Sequence, residues 1–351
     1  MAKKLKVGII GSGGIAQGAH MPGYAELPDV EMFAVADINP ANAKSAAEKF
    51  KVPHVLKDWR KLVAMDEIDA VSVCTPNALH CEPTVACLLA GKHVLVEKPI
   101  AVSAAEAQKM IAAAKRSGKK LMVGQTARFS PESRAMKEFV DSGAVGDIYY
   151  ARAMALRRRG IPGWGAFTSK KLSVGGPVFD IGVHILDLTL WLLGFPQPTR
   201  VSGKVYNPIG TRKGRQVAGM GSWDPATYGV EDFGVGLVKF QNGATVVLES
   251  SWALNIPDEV FSTIICGTKG GLQSSPLTLI REELGSLTMA RPELLSGPGG
   301  HKEEVRAFIE CIRKDLPSPV PAEQALITQQ ILDGIYESSK TGKEVAISGR
   351  R

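Results

Sequence analysis

The sequence predicts an α/β domain built on a doubly wound parallel sheet, followed by an α+β domain with a large open, mainly antiparallel sheet. Three observations carry this reading. The chain has 351 residues, 44% of them hydrophobic and 22% charged, a globular composition too long for one small core. Over the first 124 residues short apolar runs alternate with helical patterns. Beyond them the runs lengthen, become more polar and are joined by glycine-rich turns.

In the first part the strand-like runs are KVGII at 6–10, EMFAVA at 31–36, DAVSVCT at 69–75, HVLVEKP at 93–99 and KLMVG at 120–124. Helical patterns lie between them at Ala41 to Phe50, Pro83 to Ala90 and Ala104 to Arg116. Strands nearly continuous in apolar residues and separated by helices indicate a parallel sheet covered on both faces, wound right-handedly. After residue 124 come GDIYYARAMAL, FGVGLVKFQ, GATVVLESSWAL and FSTIICGT, with turns such as QNG and GTKGG that suit antiparallel connections. Helical segments from His301 to Asp315 and from Ala322 to Lys340 flank the proline-rich LPSPVP. The expected domains are 1–124 and 125–351, with the last helices able to pack back on the first.

Lys plus Arg number 42 and Asp plus Glu 35, a formal charge of +7. Residues 1–150 hold 19 basic and 16 acidic residues, 151–215 hold 11 and 2, and 216–351 hold 12 and 17. The basic excess is confined to the middle stretch, which excludes a uniformly basic nucleic-acid coat and suggests a rim for an anionic substrate or an acidic neighbouring subunit. No apolar run approaches the ~20 residues that span a bilayer, and Lys3, Lys4 and Lys6 precede only a short VGII. A cytoplasmic protein with no signal peptide and no membrane contact is expected. The cysteines Cys74, Cys81, Cys87, Cys266 and Cys311 contain no CxxC pair, so neither a disulfide framework nor a thiolate zinc site is indicated.

Directly after the first strand stands Gly11-Ser12-Gly13-Gly14-Ile15-Ala16, which fits GxGxxA. Gly11 permits a tight turn, Gly13 lets backbone approach a pyrophosphate, and Ala16 allows close packing of helix on strand. The helix start then offers N–H groups to the phosphates. The second strand ends in Asp37, where a carboxylate accepts hydrogen bonds from adenosine ribose hydroxyls. Glycine loop and acid together point to a Rossmann dinucleotide site. Ile38 and Asn39 follow Asp37, so a 2′-phosphate would meet a carboxylate without a counter-charge, and NAD is expected over NADP.

Three further groups stand at the ends of first-domain strands, where ligands of open parallel sheets bind, and a fourth lies on a later helix. Glu97-Lys98-Pro99 is expected at the cofactor, with a Lys able to stabilise the alkoxide-like charge that develops as a hydride departs. Thr75-Pro76-Asn77 with His80 is placed beside the cofactor, although Asn77 and His80 also read as a turn former and a helix cap. Gln125 follows the run at 120–124 and leads to Arg128 and Phe129, ligand contacts or hinge residues. In Gly175 to Gly194, spacings of i, i+4 and i+7 put Asp180, His184 and Asp187 on one face of an apolar helix. Polar groups on such a helix are costly to bury unpartnered, so they are expected to line a cleft, with His184 able to take a hydroxyl proton at neutral pH. The same spacing suits Asp and His as metal ligands, but no further Cys or His cluster completes a site, and no metal is expected.

GSGGIA, Asp37, TPNALH, EKP and the GGxxxDxGxHxxD pattern resemble the Gfo/Idh/MocA family, the relatives of glucose-fructose oxidoreductase and inositol dehydrogenase, over essentially the whole chain. The resemblance implies an NAD(P)-binding Rossmann domain, and a second domain whose open sheet often makes a homodimer or homotetramer contact. It also implies Lys98 beside the nicotinamide, Asp180 orienting substrate, His184 as proton acceptor and a cis Lys98–Pro99 bond. Gly175-Gly176-Pro177 departs from the glycine run usual before the Asp, at a position where Pro is tolerated.

The reading is therefore an NAD-dependent dehydrogenase acting on a secondary hydroxyl of a sugar, cyclitol or sugar derivative. An alternative is an NAD-dependent glycosidase that uses transient oxidation without net redox change, and a third is a ligand-sensing regulator on the same fold. Arg157 and Trp164 are candidate substrate contacts or surface residues, and Tyr228 and Trp252 are undecided.

Overall fold

The computed structural model describes residues 4–215, 217–293 and 295–347. It forms two compact units, Met1–Phe129 with Pro298–Leu326, and Ser130–Gly297 with Ile327–Arg351.

The first unit begins with β1 (Leu5–Ile10), a π-turn Ala16–His20 running into α1 (Met21–Ala25), β2 (Val30–Ala36) and α2 (Pro40–Phe50). It continues through β3 (His54–Leu56), α3 (Trp59–Val63), β4 (Ala70–Val73), α4 (Cys81–Leu89), β5 (His93–Glu97), α5 (Ala104–Ser117) and β6 (Leu121–Gly124). The six strands pair in parallel in the order β3-β2-β1-β4-β5-β6, the doubly wound arrangement in which order reverses beside β1. Their central residues, among them Val7, Ile9, Val71, Val94, Leu95 and Met122, have no exposed surface, which is why each run lacks strand-like alternation. Asn39, Asp58 and Ser103 cap α2, α3 and α5 with side-chain oxygens, and Gly118 in the left-handed region ends α5.

The second unit holds α6 (Pro131–Asp141), β7 (Ile148–Leu156), α7 (Lys170–Ser173), a π-turn Val178–Gly182 leading into α8 (Val183–Leu192), β8 (Pro198–Tyr206), β9 (Phe233–Phe240) and β10 (Thr245–Ser251). Then come β11 (Val260–Gly267), β12 (Gly271–Ser274), β13 (Leu277–Glu283) and β14 (Ser286–Ala290). Of the last elements, α9 (Gly300–Arg313) belongs to the first unit, α10 (Ala322–Thr341) carries the unit division, and β15 (Val345–Ala346) joins the second. The nine strands run β14-β13-β12-β11-β7-β10-β9-β8-β15, antiparallel throughout except for the β7/β10 pair. Helix α8 packs against β7 and β11 with Val183, Ile185, Leu186, Leu188 and Leu190 buried, the pattern of a helix apolar on nearly all sides.

Two expectations need correction. Strand β3 was not anticipated, because it is a three-residue edge strand whose His54 and Val55 are exposed and whose sequence carries no apolar run. Likewise β8 and β12 to β14 are shorter or more polar than the runs that signalled β7 and β9 to β11.

Candidate active site

In the first unit Gly11 adopts φ +83°, and a Cβ there would lie 2.8 Å from the Cys74 carbonyl carbon and oxygen. Only glycine fits this turn. Cβ atoms on Gly13 and Gly14 would meet nothing within 4 Å, so the loop presents open backbone, and Ile15 beside it is partly exposed. Ser12 is buried, and its N–H and hydroxyl both donate to Asp37 Oδ2, at 2.7 and 3.1 Å, while Asp37 Oδ1 accepts from Asn39 N. Strand end and glycine loop are thus locked together, with the acid beside the loop. A dinucleotide fits this cradle: free backbone where a pyrophosphate needs approach, and a carboxylate with lone pairs left for ribose hydroxyls. At the end of β6, the Oε1 of buried Gln125 has no hydrogen-bond partner among the described residues.

The segment after β4 forms a short 3-10 turn, Asn77–Leu79, with Thr75 Oγ1 donating to the Leu79 carbonyl and Pro76 exposed at its head. His80 was expected at the cofactor. Instead the ring is fully buried, with Nδ1 and Nε2 each 2.8 Å from the carbonyls of Pro99 and Thr75, so it stands behind the loop and ties it to the chain after β5. Burial pushes its pKa below the usual histidine value, and the neutral ring donates to one of the two carbonyls only.

Glu97 departs from its expected place in the same way. Its carboxylate turns inward, Oε1 lying 2.8 Å from His20 Nε2 and Oε2 accepting from Lys98 N at 3.1 Å. Burial opposes ionisation of Glu97, yet the hydrogen bond and charge of His20 bring its carboxyl down to about 2. Burial alone would lower the His20 pKa; contacts with Cys74 and Glu97 raise it well above the ordinary value. The half-buried Lys98 follows, its bond to Pro99 cis as the resemblance implied. Arg128 is buried on Gln324, and Phe129 is buried beside it in the chain; both read as packing residues.

In the second unit Asp180 sits in the π-turn before α8 and His184 in the first turn of α8; both are half-buried. A π-turn widens the helix at a single point, a feature frequent at functional sites, and four residues across it still return to nearly the same face. Asp187, expected on that face lining a cleft, is fully buried. The indole N–H of Trp252 donates to Asp180 Oδ2 at 3.0 Å, and Trp252 itself is wholly buried. Its ring meets Phe167 edge-on at 6.2 Å, and Phe167 meets the half-exposed Trp164 edge-on at 6.3 Å. The entry to the π-turn is held by Glu231, a buried carboxylate that accepts from Gly176 N, Val178 N and the Tyr336 hydroxyl. The Ser250 hydroxyl donates to the Pro177 carbonyl.

Arg157, offered as a substrate contact, is half-buried and donates to the Gly160 carbonyl of its own loop. Tyr228 is buried, its hydroxyl donating to the Glu231 carbonyl. Sequence reasoning leaves Trp252 undecided and misses Glu231, because the groups they brace lie far along the chain, 72 positions from Trp252 to Asp180 and 55 from Glu231 to Gly176.

Residues 5–125 match the model of an oxidoreductase family with an NAD-binding Rossmann fold, and residues 133–273 match the GFO/IDH/MocA C-terminal domain. The chain belongs to the Gfo/Idh/MocA family. Among its relatives, D-glucoside 3-dehydrogenase of Escherichia coli (strain K12) is 37% identical over 344 residues, covering 98% of this chain and 97% of that protein. Levoglucosan dehydrogenase of Pseudarthrobacter phenanthrenivorans is 28% identical over 301 residues, covering 77% and 73%. The solved structure of a levoglucosan dehydrogenase in complex with NADH superposes with a TM-score of 0.85 over 99% of this chain and 100% of that one, at 22% identity, a likeness of fold. This Gfo/Idh/MocA chain is an oxidoreductase with an NAD-binding domain, and no helix among its described residues is long and apolar enough to cross a membrane.

Proposed function

We propose that the protein is an NAD-dependent dehydrogenase that oxidises a secondary hydroxyl of a sugar or cyclitol, with a glycoside as the substrate class. The observation that carries this is the 37% identity to D-glucoside 3-dehydrogenase over nearly both full lengths. NAD would be held by Gly11 to Ile15, Asp37, Thr75, Pro76, Asn77 and Gln125, and when bound supplies the hydride acceptor. Asp37 beside the loop, followed by Ile38 and Asn39, favours NAD over NADP.

His184 takes the proton of the hydroxyl being oxidised, Lys98 binds that oxygen and steadies its developing negative charge, and Asp180 orients the substrate through neighbouring hydroxyls. Trp252 keeps the Asp180 carboxylate in one direction, so orientation is set before substrate arrives. Trp164, half-exposed at the head of an aromatic row that ends on Trp252, offers a face to the sugar's C–H groups. Assembly into a homodimer or homotetramer through the open sheet of the second unit completes the proposal.

The test is incubation of the purified protein with NAD and a panel of glycosides, free sugars, sugar acids and inositols. Absorbance of NADH and product analysis are followed together. NADH formation with an oxidised glycoside is the expected result. Glycoside cleavage without NADH would replace the dehydrogenase reading by the redox-neutral one, and silence across the panel overturns both.

A further inference from the structure

The interior of the first unit holds a cluster of ionisable groups that the proposed reaction does not use. One ligating atom each from His20, Glu97 and Glu304 lie within 4.8 Å of one another, and all three residues are buried. We propose that His20, Glu97 and Glu304 bind one divalent transition-metal ion of the zinc class, which staples α9 to the π-turn before α1 and to the carboxyl end of β5.

The outer contacts are those that metal ligands need. His20 holds Ser72 Oγ through Nδ1 at 3.1 Å, and Ser72 is held in turn by the Tyr24 hydroxyl, which aims Nε2 at the cluster. Glu97 Oε2 is occupied by Lys98 N, leaving Oε1 on the His20 side. Glu304 Oε2 lies 3.3 Å from His301 Nδ1. Each residue thus has one polar atom anchored outside the cluster, the arrangement that orients first ligands in metal sites.

The second observation is an orphan. Glu304 has no exposed surface, and its Oε1 has no hydrogen-bond partner among the described residues. A buried carboxylate oxygen in that state is costly to ionise, because the anion lacks a donor there. Two carboxylates and a neutral imidazole balance the charge of one divalent ion, which takes the place of the proton between His20 and Glu97. Nitrogen and oxygen ligands at about 2.0–2.2 Å suit zinc and its neighbours. His301, a third exposed, stands at the outer side of Glu304 and marks the way in.

The ligands come from three separate stretches of chain, so an ion joining them closes long loops and adds its binding energy to folding. Neither the substrate nor the dinucleotide reading enters this proposal. To test it, the purified protein is stripped with chelator, then titrated with Zn²⁺ while its melting temperature is followed, and with Co²⁺ while its visible absorption is followed. One ion per chain, a melting temperature that rises and saturates at one equivalent, and a Co²⁺ band are expected. The variant Glu304→Gln keeps the side chain's size and should lose about 100-fold or more in affinity while its circular dichroism is unchanged. A wild type that shows neither the thermal shift nor the Co²⁺ band overturns the proposal, as does equal binding by E304Q. If E304Q fails to fold, the wild-type titrations decide alone.

Discussion

Asp180 receives its direction from an indole 72 positions away, and this single hydrogen bond is where the proposed chemistry meets the core. Hydrogen bonds to a charged group are worth about 1.5–3 kcal/mol, so Trp252→Phe, which removes only the N–H and some ring, should lower kcat/KM by about tenfold or more. The stabilisation by bound NAD should be unchanged, since the glycine loop lies in the other unit. His184→Ala should cost on the order of 10² to 10⁴ in turnover while NAD still raises the melting temperature; near wild-type turnover sinks the assignment of the base. At this scale the sequence named Lys98, Asp180 and His184 from local spacing. It misplaced His80 and Glu97, because a polar residue after a strand looks the same whether its side chain faces the ligand or the interior.

At the scale of elements, both helices that carry the key polar groups start with a π-turn, Ala16–His20 and Val178–Gly182. Each inserts a wide turn in which backbone hydrogen bonding shifts, and each is braced from outside, the first by Ser72 and Glu97 on His20, the second by Glu231. Strand β5 carries a pH dependence. His93 is largely buried, its Nδ1 accepting from Lys120 N, and burial with help from Lys119 and Lys120 brings its pKa down to about 4. Between pH 6.5 and about 4 the unfolded chain binds a proton there that the folded chain does not. Stability conferred by this group is therefore present above pH 6.5 and lost as pH falls toward 4. His93→Asn, which keeps an acceptor for Lys120 N and cannot titrate, should flatten that part of the stability profile; denaturant melts at pH 7, 5.5 and 4.5 compare the two. Strands β1, β2, β4, β5 and β6 were legible because burial on both faces leaves unbroken apolar runs, and helix α3, with no such run, was not read. Strand β3 was not, since an edge strand needs no such run.

For the molecule as a whole, the basic stretch 151–215 acquires a more local meaning. Arg152 pairs with Glu249 at 2.7 Å, Arg159 holds the carbonyls of Arg158 and Leu254, and Arg200 reaches Glu344. Part of the excess charge is thus spent within the second unit, bracing its sheet and loops. Across that sheet Leu237, Val247, Arg152 and Ile264 stand opposite one another in register, on a face that is half-exposed or more. Leu237→Asp should shift the protein toward monomer by light scattering with its circular dichroism intact. An unchanged mass would remove this face from the proposed assembly.

The sequence by itself determined the parallel and mainly antiparallel halves and the glycine loop with its acid, and it named the candidate residues of the proposed reaction. All of these rest on signals within a few residues of one another: periodicity, turn chemistry and helical spacing. Only the tertiary structure decided which polar groups face inward, which indole and carboxylate brace the Asp180 helix, and that His20, Glu97 and Glu304 converge. Those outcomes depend on contacts between stretches as far as 77 residues apart and more, and no local pattern records which distant stretch will supply a buried group's partner.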